Sequence, residues 1–531
     1  MFTIVLLFCL TYGIQGQPNP VIDIAEFTSV RGVTEYVPNT AKPIYAFRGI
    51  PYAAPPVGDL RFRAPQTAEL WIGELDGTAH GPICPQTRID IMSEDCLLLN
   101  IWTPTLEVNQ NLSTLVWIHG GSFQWGSGNS RSGTELASFE DVIVVTINYR
   151  LAVMGFFTTG DANAPGNVGL MDAQMAIQWL RTHIGRFGGD PDSITIFGES
   201  AGGMAVSALV LSPSSQGLFK RAISQSGTLT APNRANPWTT AASQSRTIAE
   251  ILGCAWTSTE AVVECMRGLD WEDIEYHGTG IQPYPAIDGT WLPDWPFNMY
   301  NMGEFNRIDY LLGYNRDEGY FFIFGADPNR ENIRELFRAY IARYYNENVD
   351  AITEAVLQEY VDFNQTDPDY YVFAYSNLIG ECSYNGPSND VARKTAALYP
   401  NVYMYHFNHR PGWSSNSDWV TATHGDEIPF VFGAPFSASG GSYTEQGRAL
   451  SRQMMSYWAN FAKTGNPNGA GLPTWPRVTC QNIDYMELVY NPRAEQNYVP
   501  NRMRVWMETV PALDTYRAQF YRGFPWSCPS Q

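Results

Sequence analysis

The stretch Gly198-Glu199-Ser200-Ala201-Gly202 constrains this chain more than any other. It follows an apolar, β-branched run, Ser193-Ile194-Thr195-Ile196-Phe197, and precedes Gly203-Met204-Ala205-Val206, which reads as the start of a helix. A serine set between glycines at a strand-turn-helix junction sits at the tip of a turn too tight for flanking side chains. Its hydroxyl is left exposed. The helix behind it points its N-terminal N–H groups at the reacting centre, which favours developing negative charge. The bare G-x-S-x-G pattern arises by chance in long chains; this setting marks Ser200 as a nucleophile.

The surrounding pattern fits that junction. Short apolar runs recur at Leu115-Val116-Trp117-Ile118, at 142–147, at Tyr310-Leu311-Leu312 and at Val402-Tyr403-Met404-Tyr405. Such runs read as strands buried on both faces. Between them, Met171, Met175, Trp179, Leu180, Ile184 and Phe187 fall at helical spacing. The fold class is therefore α/β, a large, mostly parallel central sheet with helices on both faces. Such a sheet binds ligands at the carboxyl ends of its strands. The chain has 531 residues and shows no internal repeat, low-complexity tract or linker, so one enlarged domain over 17–531 is expected.

A second glycine motif, His119-Gly120-Gly121-Ser122-Phe123, follows the run ending at Ile118. Loops of this kind supply backbone N–H groups to an oxyanion hole, and Gly121, Ser122 and Ala201 are the candidate donors. Losing one such donor commonly costs about 3–4 kcal/mol of transition-state stabilisation. His119, beside the glycines, reads as a support for this loop. A serine also needs a base, and the base an orienting acid, in the order Ser, Asp/Glu, His. Four histidines follow Ser200: His277, His406, His409 and His424. His406 lies in a strand-like run and reads as packed or paired. Position alone does not choose among the others.

Composition bounds the rest. A net charge of -20 and a pI near 4.8 disfavour binding to nucleic acid. Acidity serves solubility first, and can also attract cationic substrates. Residues 1–16 carry a short apolar run, Phe2 to Leu10, followed by small and polar residues. They read as a secretory leader without a basic start, cleaved after Gly13 or Gly16. Neither a membrane-length segment nor a lipid-anchor tail is legible, so a secreted, extracellular protein is expected. Cys9 leaves with the leader, and seven cysteines remain, an odd number. Cys84/Cys96 and Cys254/Cys265 are near neighbours, and each bridge closing such a loop contributes about 3 kcal/mol on the chain-entropy view. No C-x-x-C or His–Cys ligand spacing occurs, so neither a metal nor another cofactor is expected. Asn111 and Asn364 head N-x-S/T glycosylation sequons.

Several motifs together resemble the type B carboxylesterase/cholinesterase family, from about Phe47 to Phe461. Phe47-Arg48-Gly49-Ile50-Pro51-Tyr52-Ala53 is similar to its N-terminal signature. Ser93-Glu94-Asp95-Cys96-Leu97-Leu98-Leu99-Asn100 is similar to its second signature, and Phe197 to Gly203 matches its nucleophile motif. The resemblance implies an α/β-hydrolase fold and a serine esterase acting on a small-molecule ester. It implies Glu318 as acid, from Gly313-Tyr314-Asn315-Arg316-Asp317-Glu318-Gly319, and His424 as base, from His424-Gly425-Asp426-Glu427. Asp317 and His406 are then structural. It also implies the bridges Cys84–Cys96 and Cys254–Cys265. The usual partner of the remaining family cysteine, Cys382, is replaced by Glu508, which leaves Cys382 open to Cys480, to Cys528 or to neither.

Departures from the family bear on substrate. The loop from Cys84 to Cys96 is short and holds no aromatic residue, so the tryptophan platform that cholinesterases offer to a choline cation is missing. Thr279-Gly280-Ile281-Gln282-Pro283 replaces bulky acyl-pocket phenylalanines. Trp238, Phe321 and Phe322 are expected as aromatic pocket walls, with Glu199 beside the nucleophile. Ser122 stands where the family usually has glycine or alanine. Hydrolysis of neutral, fairly apolar esters is the first expectation. A cholinesterase-type hydrolase is the alternative, and a silent adhesion protein, whose relatives usually lose triad residues, is the third.

Overall fold

The apolar runs become strands that expose almost nothing. In the computed structural model, which describes residues 19–87, 91–278, 284–323 and 325–515, eleven strands form one central sheet. In chain order they are β1 (Val33–Tyr36), β2 (Pro43–Pro51), β3 (Leu98–Thr103), β4 (Leu112–Ile118), β5 (Ile143–Ile147), β6 (Gly189–Glu199), β7 (Arg221–Gln225), β8 (Asp309–Asn315), β9 (Val402–Phe407), β10 (Asp484–Leu488) and β11 (Arg493–Gln496). Their spatial order is β11-β10-β9-β8-β7-β6-β4-β5-β3-β2-β1. Strands β5, β4, β6, β7, β8, β9 and β10 run parallel, and antiparallel strands flank them at both edges. Every residue of β5, β7, β8 and β9 is buried, as expected of strands covered on both faces.

Alternation along the strands divides the core in two. Ile196, Ala222 and Leu312 face one layer, with Leu170, Ala173, Ile177 and Leu180 of α1 (Val168–His183) and Ala205 and Leu209 of α2 (Ala201–Leu211). Phe197, Ile223 and Leu311 face the other, with Leu450, Met454, Trp458 and Phe461 of a 20-residue helix, Glu445–Thr464. Neighbouring strand residues thus serve opposite layers, the period-2 rule of a pleated sheet. In α1 the buried face is Leu170, Ala173, Ala176, Ile177 and Leu180, while Met171 and Met175 are only partly covered. The small alanines, rather than the methionines, let the helix approach the sheet.

Two disulfides join Cys84 to Cys96 and Cys254 to Cys265, with Cα atoms 5.0 and 5.7 Å apart. Cys382 is buried, Cys480 is disulfide-bonded, and Cys528 lies outside the described residues. So do the leader at 1–16 and the segment 279–283.

An ion pair ties the loop after β5 to α1. Arg150 Nε and Nη2 donate to Asp172 Oδ2 and Oδ1 at 2.7 and 2.6 Å, and the Arg150 backbone N–H donates to Oδ2 at 3.1 Å. Both side chains are almost wholly buried. Removing one partner leaves the other charge desolvated and alone. Asp172→Ala should therefore destabilise the protein by about 3–5 kcal/mol, read as a lower denaturant midpoint at unchanged slope. A loss below about 1 kcal/mol, the level of an exposed pair, contradicts that account.

Candidate active site

Strand β6 ends at Glu199 and α2 begins at Ala201, so Ser200 alone makes the turn. Its backbone takes φ 57° and ψ -124°, a conformation that costs a non-glycine residue about 1–3 kcal/mol. The Ser200 N–H donates to Gln225 O on β7 at 2.9 Å, which fixes the turn to the neighbouring strand. A Cβ at Gly202 would stand 2.0 Å from the Ile118 carbonyl oxygen, and one at Gly198 would stand 2.6 Å from it. The glycines are required because β4 passes that close.

The loop after β4 faces the same point. A Cβ at Gly120 would lie 3.0 Å from Ser200 Cβ, so this backbone packs directly on the serine. Gly121, Ser122 and Phe123 take φ values of 109°, 58° and 59°, which turn the chain sharply. His119 is buried, stacks on Tyr149 with ring centroids 4.5 Å apart, and shares a 2.9 Å hydrogen bond through Nδ1 with Gly120 O. Tyr149 Oη donates to His119 O at 2.9 Å. Burial lowers the His119 imidazole to about 4, against the pull of that backbone contact, so it stays neutral and supports the loop.

The loops after β8 and β9 bring an acid and a histidine together. His424 Nδ1 and Glu318 Oε2 are 2.6 Å apart, and both side chains are almost fully buried. The Asn315 N–H donates to Glu318 Oε1 at 2.7 Å, which leaves Oε2 for the imidazole. Asp317, one residue earlier, turns to the loop before His424, accepting from Thr421 N at 2.7 Å and Ala422 N at 3.3 Å. On the far side of the ring, His424 Nε2 lies 3.1 Å from Glu199 Oε1. His406 is buried in β9, and burial aided by Arg316 lowers it to about 3.

The charges here are strongly coupled. Burial raises Glu199 to about 8; His424 opposes the shift, and Glu427 and Glu318 add to it. Burial works against a charged His424, but Glu199 and Glu318 outweigh it and hold the imidazole up to about 9. Both carboxylates thus favour the charged ring and stabilise an imidazolium once it has formed. Behind it, Glu427 accepts from Gln225 Nε2 at 2.9 Å and Asn315 Nδ2 at 2.7 Å. Burial and Glu318 raise Glu427 to about 7.

A cavity of about 300 Å³ opens on Ser200 and is lined by Ser122, Phe123, Ala201, Phe322 and Tyr384, among others. The Phe322 and Tyr384 rings lie 5.2 and 4.6 Å from the His424 ring. The cavity wall thus holds Ser200, Ala201, Ser122 and Phe322, and His424, between Glu199 and Glu318, packs against the Phe322 and Tyr384 rings of that wall. Phe321 also neighbours His424, at 6.3 Å, but is 47% exposed. Trp238 is not among the residues lining the cavity: it opens a helix, Trp238–Ile251, near Gly160 and is 37% exposed. Sequence reasoning gives no role to Tyr384, Arg234, Tyr284 or Glu427. Glu427 stands inside the histidine motif, a signal that was available; the other three belong to no recognisable pattern.

A model of the carboxylesterase family matches residues 18–506. The chain is 36% identical over 538 residues to the acylcarnitine hydrolase of Rattus norvegicus, covering 96% of this chain and 95% of the relative. It is 37% identical over 533 residues to the cocaine esterase of Homo sapiens, covering 95% and 94%. To the medium-chain fatty acyl-CoA hydrolase precursor of Anas platyrhynchos it is 36% identical over 516 residues, covering 91% of each.

The contact between Glu199 and His424 gives a signed pH prediction. The carboxylate raises the imidazole, so Glu199→Gln should lower the His424 titration by about one unit or more, followed by NMR of the ring protons. The acid limb of a His424-dependent kcat/KM profile should move to lower pH with it. An unchanged titration would show that Glu199 does not act on this ring.

Proposed function

The chain belongs to the carboxylesterase family and is a carboxylic ester hydrolase, and we propose that it works through Ser200, His424 and Glu318 by way of an acyl-enzyme. The observation that carries this reading is the 2.6 Å contact between His424 Nδ1 and Glu318, with Ser200, half-buried on its strained turn, lining the adjoining cavity. His424 Nε2 takes the Ser200 proton as Oγ attacks the ester carbonyl. Glu318 holds the tautomer and stabilises the imidazolium. The N–H groups of Gly121, Ser122 and Ala201 receive the oxyanion. His424 gives that proton to the leaving oxygen, the alcohol departs, and the acyl group stays on Ser200. Water, giving its proton to His424, then releases the acid and restores the hydroxyl.

Uncharged esters fit this site better than choline esters. The bridge between Cys84 and Cys96 closes a loop without an aromatic residue, and Arg234 and Arg343 line the cavity beside Ser200. Both features disfavour a cationic head group. Relatives named for acylcarnitine and fatty acyl-CoA hydrolysis support acyl transfer as the shared chemistry. Export fits two disulfides, the exposed sequon residues Asn111 and Asn364, and the absence of a membrane-length helix among the described residues.

The test is hydrolysis of 4-nitrophenyl acetate, butyrate and octanoate beside acetyl- and butyrylthiocholine by wild type and Ser200→Ala. Wild type should favour the neutral esters, and Ser200→Ala should lose about 10⁴-fold or more in kcat. A preference for thiocholine esters overturns the substrate reading. A folded wild type that cleaves nothing in the panel overturns the catalytic one.

A further inference from the structure

The cavity beside Ser200 is cationic, although the chain as a whole is strongly acidic. Arg234 comes from the loop after β7, and Arg343 follows a helix at Ile333–Ala342. Both line the 300 Å³ cavity, and both also line a larger one of about 920 Å³ that shares Tyr284 and Tyr344 with it. Arg234 therefore stands in the wall between an outer vestibule and the reacting centre. Glu347 and Asp514 line the vestibule; no carboxylate lines the inner cavity among the described residues.

The partners of Arg234 are phenols. Its guanidinium carbon lies 5.1 Å from the Tyr284 ring centre, and one Nη donates to Tyr284 Oη. The titratable groups facing it are Tyr284, Tyr340, Tyr344 and Tyr384, and Tyr384 is also packed on His424. Arg234 Nε is buried and makes no hydrogen bond among the described residues. A half-buried guanidinium held by neutral phenols, its Nε out of reach of water, has a charge and at least one donor left to satisfy. Its planar fork matches a carboxylate. Glu199 and Glu318, the acids on either side of His424, are both engaged with that ring.

We propose that Arg234, oriented by Tyr284, is a specificity-determining residue that selects esters carrying a second, ionised carboxylate. This rests on Ser200 as the nucleophile. It ranks substrates as anionic over neutral, with cationic esters last. The carboxylate docks on Arg234 while the ester carbonyl lies at Ser200, so the acid is read as the scissile bond is positioned.

The experiment compares carboxylate esters with neutral partners of matched length. Mono-4-nitrophenyl adipate against 4-nitrophenyl hexanoate places the charge on the acyl side. 4-(Butyryloxy)benzoate against phenyl butyrate places it on the alcohol side. Wild type should prefer the charged ester in one of the two pairs. In Arg234→Met that ratio of kcat/KM values should fall by about 10- to 100-fold, the range of a charge-assisted hydrogen bond. Arg234→Lys should keep part of it, and Tyr284→Phe should lower it by a smaller factor. No preference in either wild-type pair, or an equal fall of both esters in Arg234→Met, overturns the proposal. Calorimetry on Ser200→Ala with monomethyl adipate and methyl hexanoate separates this from the catalytic reading. Adipate binding that weakens on adding Arg234→Met upholds the anion site even if no ester is turned over. Binding indifferent to Arg234 rejects it even if esterase activity is present.

Discussion

Everything in this site hangs on the passage of one backbone beneath another. The turn at Ser200 slides under the end of β4 so closely that the Ile118 carbonyl leaves no room for a side chain at Gly198 or Gly202. That approach sets the serine against the glycine loop after β4, because the loop begins one residue beyond the contact. It also forces the left-handed φ at Ser200, whose strain of about 1–3 kcal/mol is held by parallel pairing to β4 and β7 on either side. The helix that follows is buried at all eleven positions, so the turn cannot relax by moving it.

From that fixed point the electrostatics follow. Glu199 is the last strand residue before the turn and is carried inward with it, to 3.1 Å from His424 Nε2. Three buried carboxylates then cluster at one imidazole, Glu199 and Glu318 touching it and Glu427 behind them. Such a group survives only because each oxygen not used by His424 finds a donor or gives up charge. Glu427 receives two amide donors, Gln225 and Asn315; Gln225 is itself held by Trp458 Nε1 at 3.0 Å. Asn315 serves twice, its backbone N–H on Glu318 and its side chain on Glu427. The ends of β7 and β8 and the long helix on the opposite face are thereby tied to the orientation of a single ring.

These couplings explain what could be read from the chain. The junction at Ser200 is legible because its constraint is local: five residues in a row carry it, and flanking patterns identify the strand and the helix. The strands are legible because burial on both faces leaves unbroken apolar runs. The face of α1 is less so, because counting apolar residues favours Met171 and Met175, whereas close packing favours Ala173 and Ala176. His424 is not singled out by position, since the meeting of a base with its acid joins loops 106 residues apart. Only the family motif distinguishes it from three other histidines. The aromatic walls fare unevenly for a related reason. Phe322 follows its acid by four residues and is carried to the ring. Trp238 follows a twelve-residue excursion from the end of β7, and what that excursion brings into the cavity is Arg234.

That substitution of a cation for an aromatic shows where specificity is written in such a fold. The sheet and its two motif loops hold the serine turn, and their tolerances are so tight that a Cβ added at Gly198 or Gly202 would stand 2.0–2.6 Å from the Ile118 carbonyl oxygen. The far wall is built from tyrosines on helices and loops and an arginine on a long loop, none of them bound by the same contacts. Net charge is no guide to this wall: twenty excess negative charges spread over the surface are screened within about 10 Å, while one guanidinium beside the scissile bond is not. An acidic protein can therefore hold an anion-seeking site, provided the cation is placed beside the reacting centre and no carboxylate lines the same cavity. The loop after β7 does this by seating Arg234 among phenols, which orient a charge without neutralising it.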